Sequence, residues 1–366
     1  MQYDFADILS TVVDRNASDL HITPGVPPML RIRGSLTPID GLPRLTPTDT
    51  REIVYSVLNN SQRQRLETDH QLDFSYAVPG KGRFRVNAYN QRGSVAAAFR
   101  LIPSTTVPIE ELGLPPVIRE FAKKPRGLIL VTGPTGSGKS TTLASLINEI
   151  NETRDDHIMT IEDPIEFMHT HKRCLVNQRE IGTDAQTFAL ALKAALRQDP
   201  DVILVGEMRD METIATALTA AETGHLVFAT LHTQDAPRTI DRIIDVFPAH
   251  QQGQIRMQLA VGLQGIVTQT LIPTADGKGR CVAAEILMPT PGVRNLIREG
   301  KTHQIYSAIQ TGANVGMQTM DTSLAGLVRS GQITLNQAES RSSQPTELRK
   351  LVESGAGPQL TAVRGG

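Results

Sequence analysis

Phe5, Ile8, Leu9, Val12 and Val13 recur at helical spacing at the start of the chain, and Asn16-Ala17-Ser18 then breaks the pattern. Short alternating runs follow at residues 19–23 and 29–34, set apart by Pro24-Gly25 and Pro27-Pro28, which predicts a sheet meander. A helical stretch covers roughly 47–66. Strand-like runs return at 72–78, 83–89 and 94–102, the first two joined by Pro79-Gly80-Lys81-Gly82. Helices mixed with antiparallel hairpins in this way predict a compact α+β module over residues 1–102, with helices on one face of its sheet.

Residues 103–116 hold four prolines in fourteen positions and are expected as a linker. Beyond them the texture changes. Residues 127–132 read as a continuous apolar strand, 139–150 as a helix, 157–161 as a strand and 184–197 as a helix. Another apolar run at 202–205, a helix at 210–222 and a strand at 226–231 continue the alternation. Strands that are apolar throughout and alternate with helices predict a parallel sheet covered on both faces, so the fold class is α/β. From about 237 to about 337 the pattern reads as mainly helical. This places a second domain over 117–340 and leaves the polar, Gly-rich residues 341–366 as a flexible tail.

Charge and composition narrow the function. The chain has 366 residues, enough for two domains, and 37 Lys plus Arg against 38 Asp plus Glu give a net charge of −1. That balance offers no electrostatic case for tight nucleic-acid or anionic-membrane binding. Cys174 and Cys281 are too few for a four-thiolate zinc site and read as free thiols in a reducing compartment. The opening Met1-Gln2-Tyr3-Asp4-Phe5-Ala6-Asp7 lacks the basic n-region of a signal peptide, and no segment approaches the ~18 apolar residues of a membrane helix. The expectation is a cytoplasmic protein with no direct membrane insertion, reaching a membrane only through a partner.

The strongest chemical signal is Gly133-Pro134-Thr135-Gly136-Ser137-Gly138-Lys139-Ser140, which matches G-x-x-x-x-G-K-[ST] between an apolar strand and an amphipathic helix. Its glycines let consecutive backbone N–H groups turn inward around phosphate oxygens, aided by the helix N-terminus. Lys139 is placed to reach the β- and γ-phosphates, and the Ser140 hydroxyl to ligate Mg²⁺. With Thr141 these residues form the candidate ATP site.

Acids follow at the ends of two strands. Val202-Ile203-Leu204-Val205 runs into Gly206-Glu207, which places Glu207 to hold a Mg²⁺-bound water. Glu162-Asp163-Pro164-Ile165-Glu166 follows the strand at 157–161, so one of these acids can orient or deprotonate the attacking water. Glu162 and Asp163 can equally be caps of the next turn. His225 and His232 flank the strand at 226–231; His232, at its carboxyl end, is the better placed to sense a γ-phosphate, and His225 can simply bond a neighbouring loop. Arg83, Arg85, Arg92 and Arg100 cluster in the first domain, either as a solvated basic face or as fingers that neutralise transition-state charge.

Together these segments resemble the secretion ATPase superfamily, most closely its type IV pilus retraction (twitching motility) branch. Residues 133–140 match its Walker A, 155–167 its Asp box, 201–210 its Walker B and 223–233 its His box. Gly292-Val293-Arg294-Asn295-Leu296-Ile297-Arg298-Glu299 is similar to the Ala-Ile-Arg-Asn-Leu-Ile-Arg-Glu motif associated with retraction, with Gly292 and Val293 in place of its first two residues. Ala17-Ser18-Asp19-Leu20-His21 also fits, and the likeness covers about residues 1–340.

The resemblance implies a PAS-like first domain, a RecA-like ATPase core and a homohexameric ring. It also implies docking on an inner-membrane pilus platform protein at the inner face of the cell membrane. It carries finger arginines onto Arg85 and Arg100, the general base onto Glu166, the Mg²⁺-water ligand onto Glu207 and a γ-phosphate contact onto His232. The helix with Arg294 and Arg298 takes a role in retraction rather than in ATP binding. The nearest rival is a pilus assembly or type II secretion ATPase, disfavoured by the short first domain and by two cysteines where a four-Cys insertion is usual. A nucleic-acid translocase and a nucleotide-gated scaffold without turnover are the more distant readings.

Overall fold

A computed structural model describes residues 5–354. The chain divides into two compact units. One comprises the residues up to Thr105 together with Pro164–His169 and Gly182–Asp184, and the other comprises the rest from Thr106 onward.

The first unit begins with α1 (Phe5–Asp14), β1 (Asp19–Ile22), β2 (Met29–Ile32) and β3 (Ser35–Pro38). It continues with α2 (Pro47–Ser56), α3 (Asn60–Asp69), β4 (Gln71–Val78), β5 (Gly82–Gln91) and β6 (Ser94–Ile102). The expected single helix over 47–66 is two. Asn59 accepts from the Gln62 N–H while Gln62 accepts from the Asn59 N–H, a capping box that starts a new helix three residues after α2 ends. The six strands form one antiparallel sheet in the order β3-β2-β1-β6-β5-β4. Period-2 alternation sorts its faces: Phe84, Val86 and Ala88 are buried in a core shared with Leu9, Val12, Ile53 and Val54 of the helices, whereas Arg85 is exposed between them.

The second unit contains α4 (Arg119–Ala122), β7 (Gly127–Thr132), α5 (Lys139–Thr153), β8 (His157–Glu162), β9 (Leu175–Glu180) and α6 (Phe188–Ala195). Next come β10 (Val202–Val205), α7 (Met211–Glu222), β11 (Leu226–Leu231), α8 (Ala236–Asp245), α9 (Ala249–Gly262), β12 (Leu263–Pro273) and β13 (Arg280–Leu287). The helices α10 (Pro291–Arg298), α11 (Ile305–Thr311), α12 (Met320–Arg329), α13 (Leu335–Glu339) and α14 (Pro345–Glu353) complete it. The sheet order is β13-β12-β7-β11-β10-β8-β9, parallel except where β13 pairs with β12. One face packs α6 to α10 over Leu128, Leu130, Ile203 and Val227; the other packs α5 over Ile129, Val131 and Phe228.

Three expectations need correcting. The segment at 237–337, expected as mainly helical, also contains the β12–β13 hairpin, which extends the sheet beyond β7. A short apolar run has no period that separates strand from helix, and only its pairing with β7 settles the matter. The Pro-rich residues 103–116 are not a free tether throughout: Ile109 is buried in the second unit, and Ser145 Oγ donates to Val107 O at 2.5 Å. Residues 341–354 do not open a tail. They carry α14, whose Leu348 is buried against Leu324 and Leu327 of α12, and Arg329 donates to Leu351 O at 2.7 Å. The rest of that expected tail, 355–366, lies outside the described residues.

Candidate nucleotide-binding site

The loop between β7 and α5 has the conformation its glycines require. Gly133 and Gly138 adopt φ of +137° and +90°, backbone that a side chain strains. A Cβ on Gly133 would sit 2.2 Å from the Gln269 carbonyl oxygen, so the loop also needs glycine there to lie against β12. Gly138 is the N-cap of α5 and offers no side-chain cap, so the helix N-terminus opens into the loop. Lys139 is almost fully buried; its Nζ donates to Gly133 O at 2.9 Å and to Pro134 O at 3.0 Å, which keeps the ammonium over the loop. Ser140 and Thr141 lie half-buried on the first turn of α5.

Strand β12 braces this loop from the side. Gln269 is buried; its Nε2 donates to Ser137 O at 2.8 Å and its Oε1 accepts from Thr142 Oγ1 at 3.0 Å. One residue earlier, the Thr268 and Thr132 hydroxyls meet at 2.8 Å in the core. Sequence reasoning missed Gln269 because its strand was read as helix. The available signal was Gln269 between Thr268 and Thr270, flanked by Ile266-Val267 and Leu271-Ile272, since an amide buried in such a stretch must find partners.

At the carboxyl ends of β8, β10 and β11 the predicted acids and histidine converge in part. Glu207 Oε2 is 2.6 Å from Arg209 Nη2, and its Oε1 is 3.3 Å from His232 Nε2. Burial alone would raise the Glu207 pKa, but Arg209 and His232 together outweigh it and hold the carboxyl below its ordinary value. The acid is therefore charged at neutral pH. Glu162 is buried at the end of β8 and accepts from Thr160 Oγ1 at 2.6 Å. His225, at the other end of β11, lies 3.0 Å through Nδ1 from Ala220 O at the end of α7, the local structural role left open for it.

The remaining predicted residues belong to the first unit. Arg85 and Arg100 are direct cross-strand partners on β5 and β6, so both side chains leave the same face of the sheet. Arg100 Nε donates to Asp19 Oδ1 at 2.8 Å, while Arg85 has only a 4.0 Å approach to Asp73. Asp19 is buried and also accepts from Ser18 Oγ at 2.8 Å, so the segment 17–21 serves to orient an arginine. Glu166 is exposed and lies in Pro164–His169, the segment that folds with the first unit and is tied there by Met168 N donating to Pro103 O at 3.0 Å. The fold thus groups Glu166 with the arginines, and the phosphate loop with Glu207 and His232.

Residues 2–354 match the family model described as "type II/IV secretion system protein". The type IV pilus retraction ATPase PilT of Pseudomonas aeruginosa is 52% identical over 342 residues, 93% of this chain and 99% of that protein. A twitching motility protein of Neisseria gonorrhoeae is 54% identical over 314 residues, 86% of this chain and 84% of that protein. A crystal structure of the pilus retraction motor PilT with bound ADP superposes with a TM-score of 0.87 at 52% identity, covering 95% of this chain and 99% of that one. This chain belongs to the type II/IV secretion system protein family.

As a member of that family with an intact phosphate loop, it is an ATPase that binds nucleotide. Two features of this secretion ATPase lie away from the loop. Arg294 donates through Nη1 to Ala260 O and to Val261 O (2.8 Å), and through Nη2 to Leu263 O at 3.0 Å, closing the carboxyl end of α9. Arg298, one turn later, is exposed. Glu285 on β13 is buried and accepts from the Ala236 N–H of α8 at 2.8 Å; burial, with Asp235 and Asp321 nearby, pushes its pKa up to about 7. No helix among the described residues is long and apolar enough to cross a membrane.

Proposed function

We propose that this chain is the ATP-hydrolysing motor of type IV pilus retraction, working as a homohexamer on an inner-membrane platform protein at the cytoplasmic face. The observation that carries the reading is end-to-end likeness: the match to the retraction ATPase of Pseudomonas aeruginosa covers 93% of this chain and 99% of that protein. An assembly or type II secretion ATPase is disfavoured by having Cys174 and Cys281 alone, both free thiols, where a four-Cys insertion is usual.

In this reading the loop 133–141 cradles the phosphates of ATP, with Lys139 on the β- and γ-phosphates. The donor set fits Mg²⁺: Ser140 and the charged Glu207 offer hard oxygen atoms. Among the described residues no three His, Cys, Asp or Glu side chains form a metal cluster, so the ion would need phosphate oxygens and water as well. When bound, Mg²⁺ neutralises phosphate charge. Glu166 accepts the proton of the attacking water, His232 contacts the γ-phosphate, and Arg85 and Arg100 neutralise the charge that develops on it. Hydrolysis in this reading is coupled to motion of the arginine-bearing domain. Release after hydrolysis would then deliver the mechanical stroke.

Replacing Lys139 by Ala in the source organism tests the reading. Surface pili that persist or accumulate while twitching stops are expected; loss of surface pili would make the chain an assembly motor instead.

A further inference from the structure

A buried polar contact of the phosphate loop is made by a residue that no nucleotide motif contains. We propose that Gln269 is a positioning residue for nucleotide binding, which acts by fixing the direction of the Gly138 N–H; this rests on the reading of 133–141 as the ATP site. Gln269 and Thr142 are both buried, and the amide is used at both ends. The Ser137 carbonyl can only accept, which decides that Nε2 faces the loop and donates to it at 2.8 Å, and the Thr142 hydroxyl then donates to Oε1 at the other end.

The consequence follows from peptide geometry. In a trans peptide the carbonyl of one residue and the N–H of the next point in opposite directions. Pinning Ser137 C=O toward β12 therefore turns the Gly138 N–H away from β12 and toward the concave side of the loop, where phosphate oxygens bind. The same residue also sets the loop's position. Its carbonyl oxygen lies 2.2 Å, and its Nε2 3.0 Å, from where a Cβ would stand on Gly133 and Gly138 respectively. The loop is thus moulded on Gln269 at three points. Without the amide, the Ser137–Gly138 peptide can flip, and a donor aimed at phosphate is lost.

The test uses the full chain and measures ADP affinity, ATP turnover and melting temperature together. Gln269→Met keeps the length of the side chain but cannot donate, and ADP affinity is expected to fall roughly tenfold or more, the worth of one hydrogen bond to a charged group. Gln269→Glu supplies a readout that simple packing would not move. As a carboxylate it repels the Ser137 carbonyl, whereas as a protonated acid it donates to that oxygen and still accepts from Thr142. Its affinity relative to wild type should therefore recover as pH is lowered from 8 to 6. Thr142→Val, which leaves Oε1 without its donor and loosens the amide, should give a smaller loss and serves if Gln269→Met fails to fold. Wild-type affinity in Gln269→Met, or a deficit in Gln269→Glu that is the same at every pH, would overturn the assignment while leaving the ATP site standing. A wild-type chain that bound no ADP would overturn both.

Discussion

Arg100 Nε lies 2.8 Å from Asp19 Oδ1, and the carboxylate that receives it is itself buried and held by Ser18. Burial alone would raise the Asp19 pKa, but the Ser18 hydroxyl and the Arg100 guanidinium outweigh it and keep the carboxyl below its ordinary value. The sign follows: this lowered pKa contributes stability above the unfolded value of 3.8 and loses it only as pH falls further, so the pair is intact at neutral pH. An exposed guanidinium on a buried anchor is a preorganised cation.

Asp19→Asn is therefore expected to lower kcat about tenfold with little change in KM for ATP, by loosening a group used in the transition state. Arg100→Ala should cost more, roughly 100-fold or beyond. Steady-state ATPase assays decide it. An Asp19→Asn enzyme with altered KM and unchanged kcat would make the pair structural only.

Glu166→Ala should bind ADP as tightly as wild type and lose roughly 100-fold or more in turnover, the usual worth of a general base. Isothermal titration beside an ATPase assay separates binding from chemistry. Retained turnover would remove the base assignment and shift attention to Glu162 or Glu207.

Glu285 makes stability depend on pH. Its pKa is raised from 4.5 to about 7, so the folded chain holds this proton more tightly than the unfolded chain. The associated stability is fully present below 4.5 and is lost as pH rises through about 7, a change of up to about 3 kcal/mol. The groups facing it are Asp235 and Asp321, which raise the value, and the N–H groups of Ala236 and Met320, which lower it. Glu285→Gln removes the proton exchange, so its melting temperature should fall less between pH 5 and pH 8 than that of wild type. Identical slopes for the two proteins would count against this account.

Arg294 and Arg298 should separate cleanly. Arg294→Ala unpairs the last carbonyls of α9 and is expected to destabilise the chain by about 2 kcal/mol in denaturant titrations. Arg298→Ala removes an exposed side chain, so stability should stay within roughly 0.5 kcal/mol and ATPase activity should persist, while twitching is lost. Normal twitching in an Arg298→Ala strain would leave that helix without a role in retraction.

Much of the site was legible because its chemistry is local. The glycines at 133, 136 and 138 between an apolar strand and a helix dictate a phosphate loop from sequence alone. Alternation along β5 and β6 places Arg85 and Arg100 on one exposed face. What escaped depends on contacts far apart in the chain. Gln269 meets Ser137 only because β12 pairs with β7, and no period along the mixed polar and apolar β12 announces that. Glu166 stands four residues beyond Glu162 yet folds with the other unit, a division no motif records. Helix α14 buries only one residue fully, Leu348, with Leu351 and Val352 half-buried beside it, too little to register against its polar neighbours.

The most direct measurement pairs motion with chemistry in one variant. Arg100→Lys keeps the charge but loses the planar fork, so turnover should slow without stopping. The shortening speed of fluorescently labelled pili in cells carrying it should fall by the same factor as the kcat of the purified protein. Slowed turnover with wild-type shortening speed, or cells that make no pili at all, would contradict the assignment of this chain as the retraction motor.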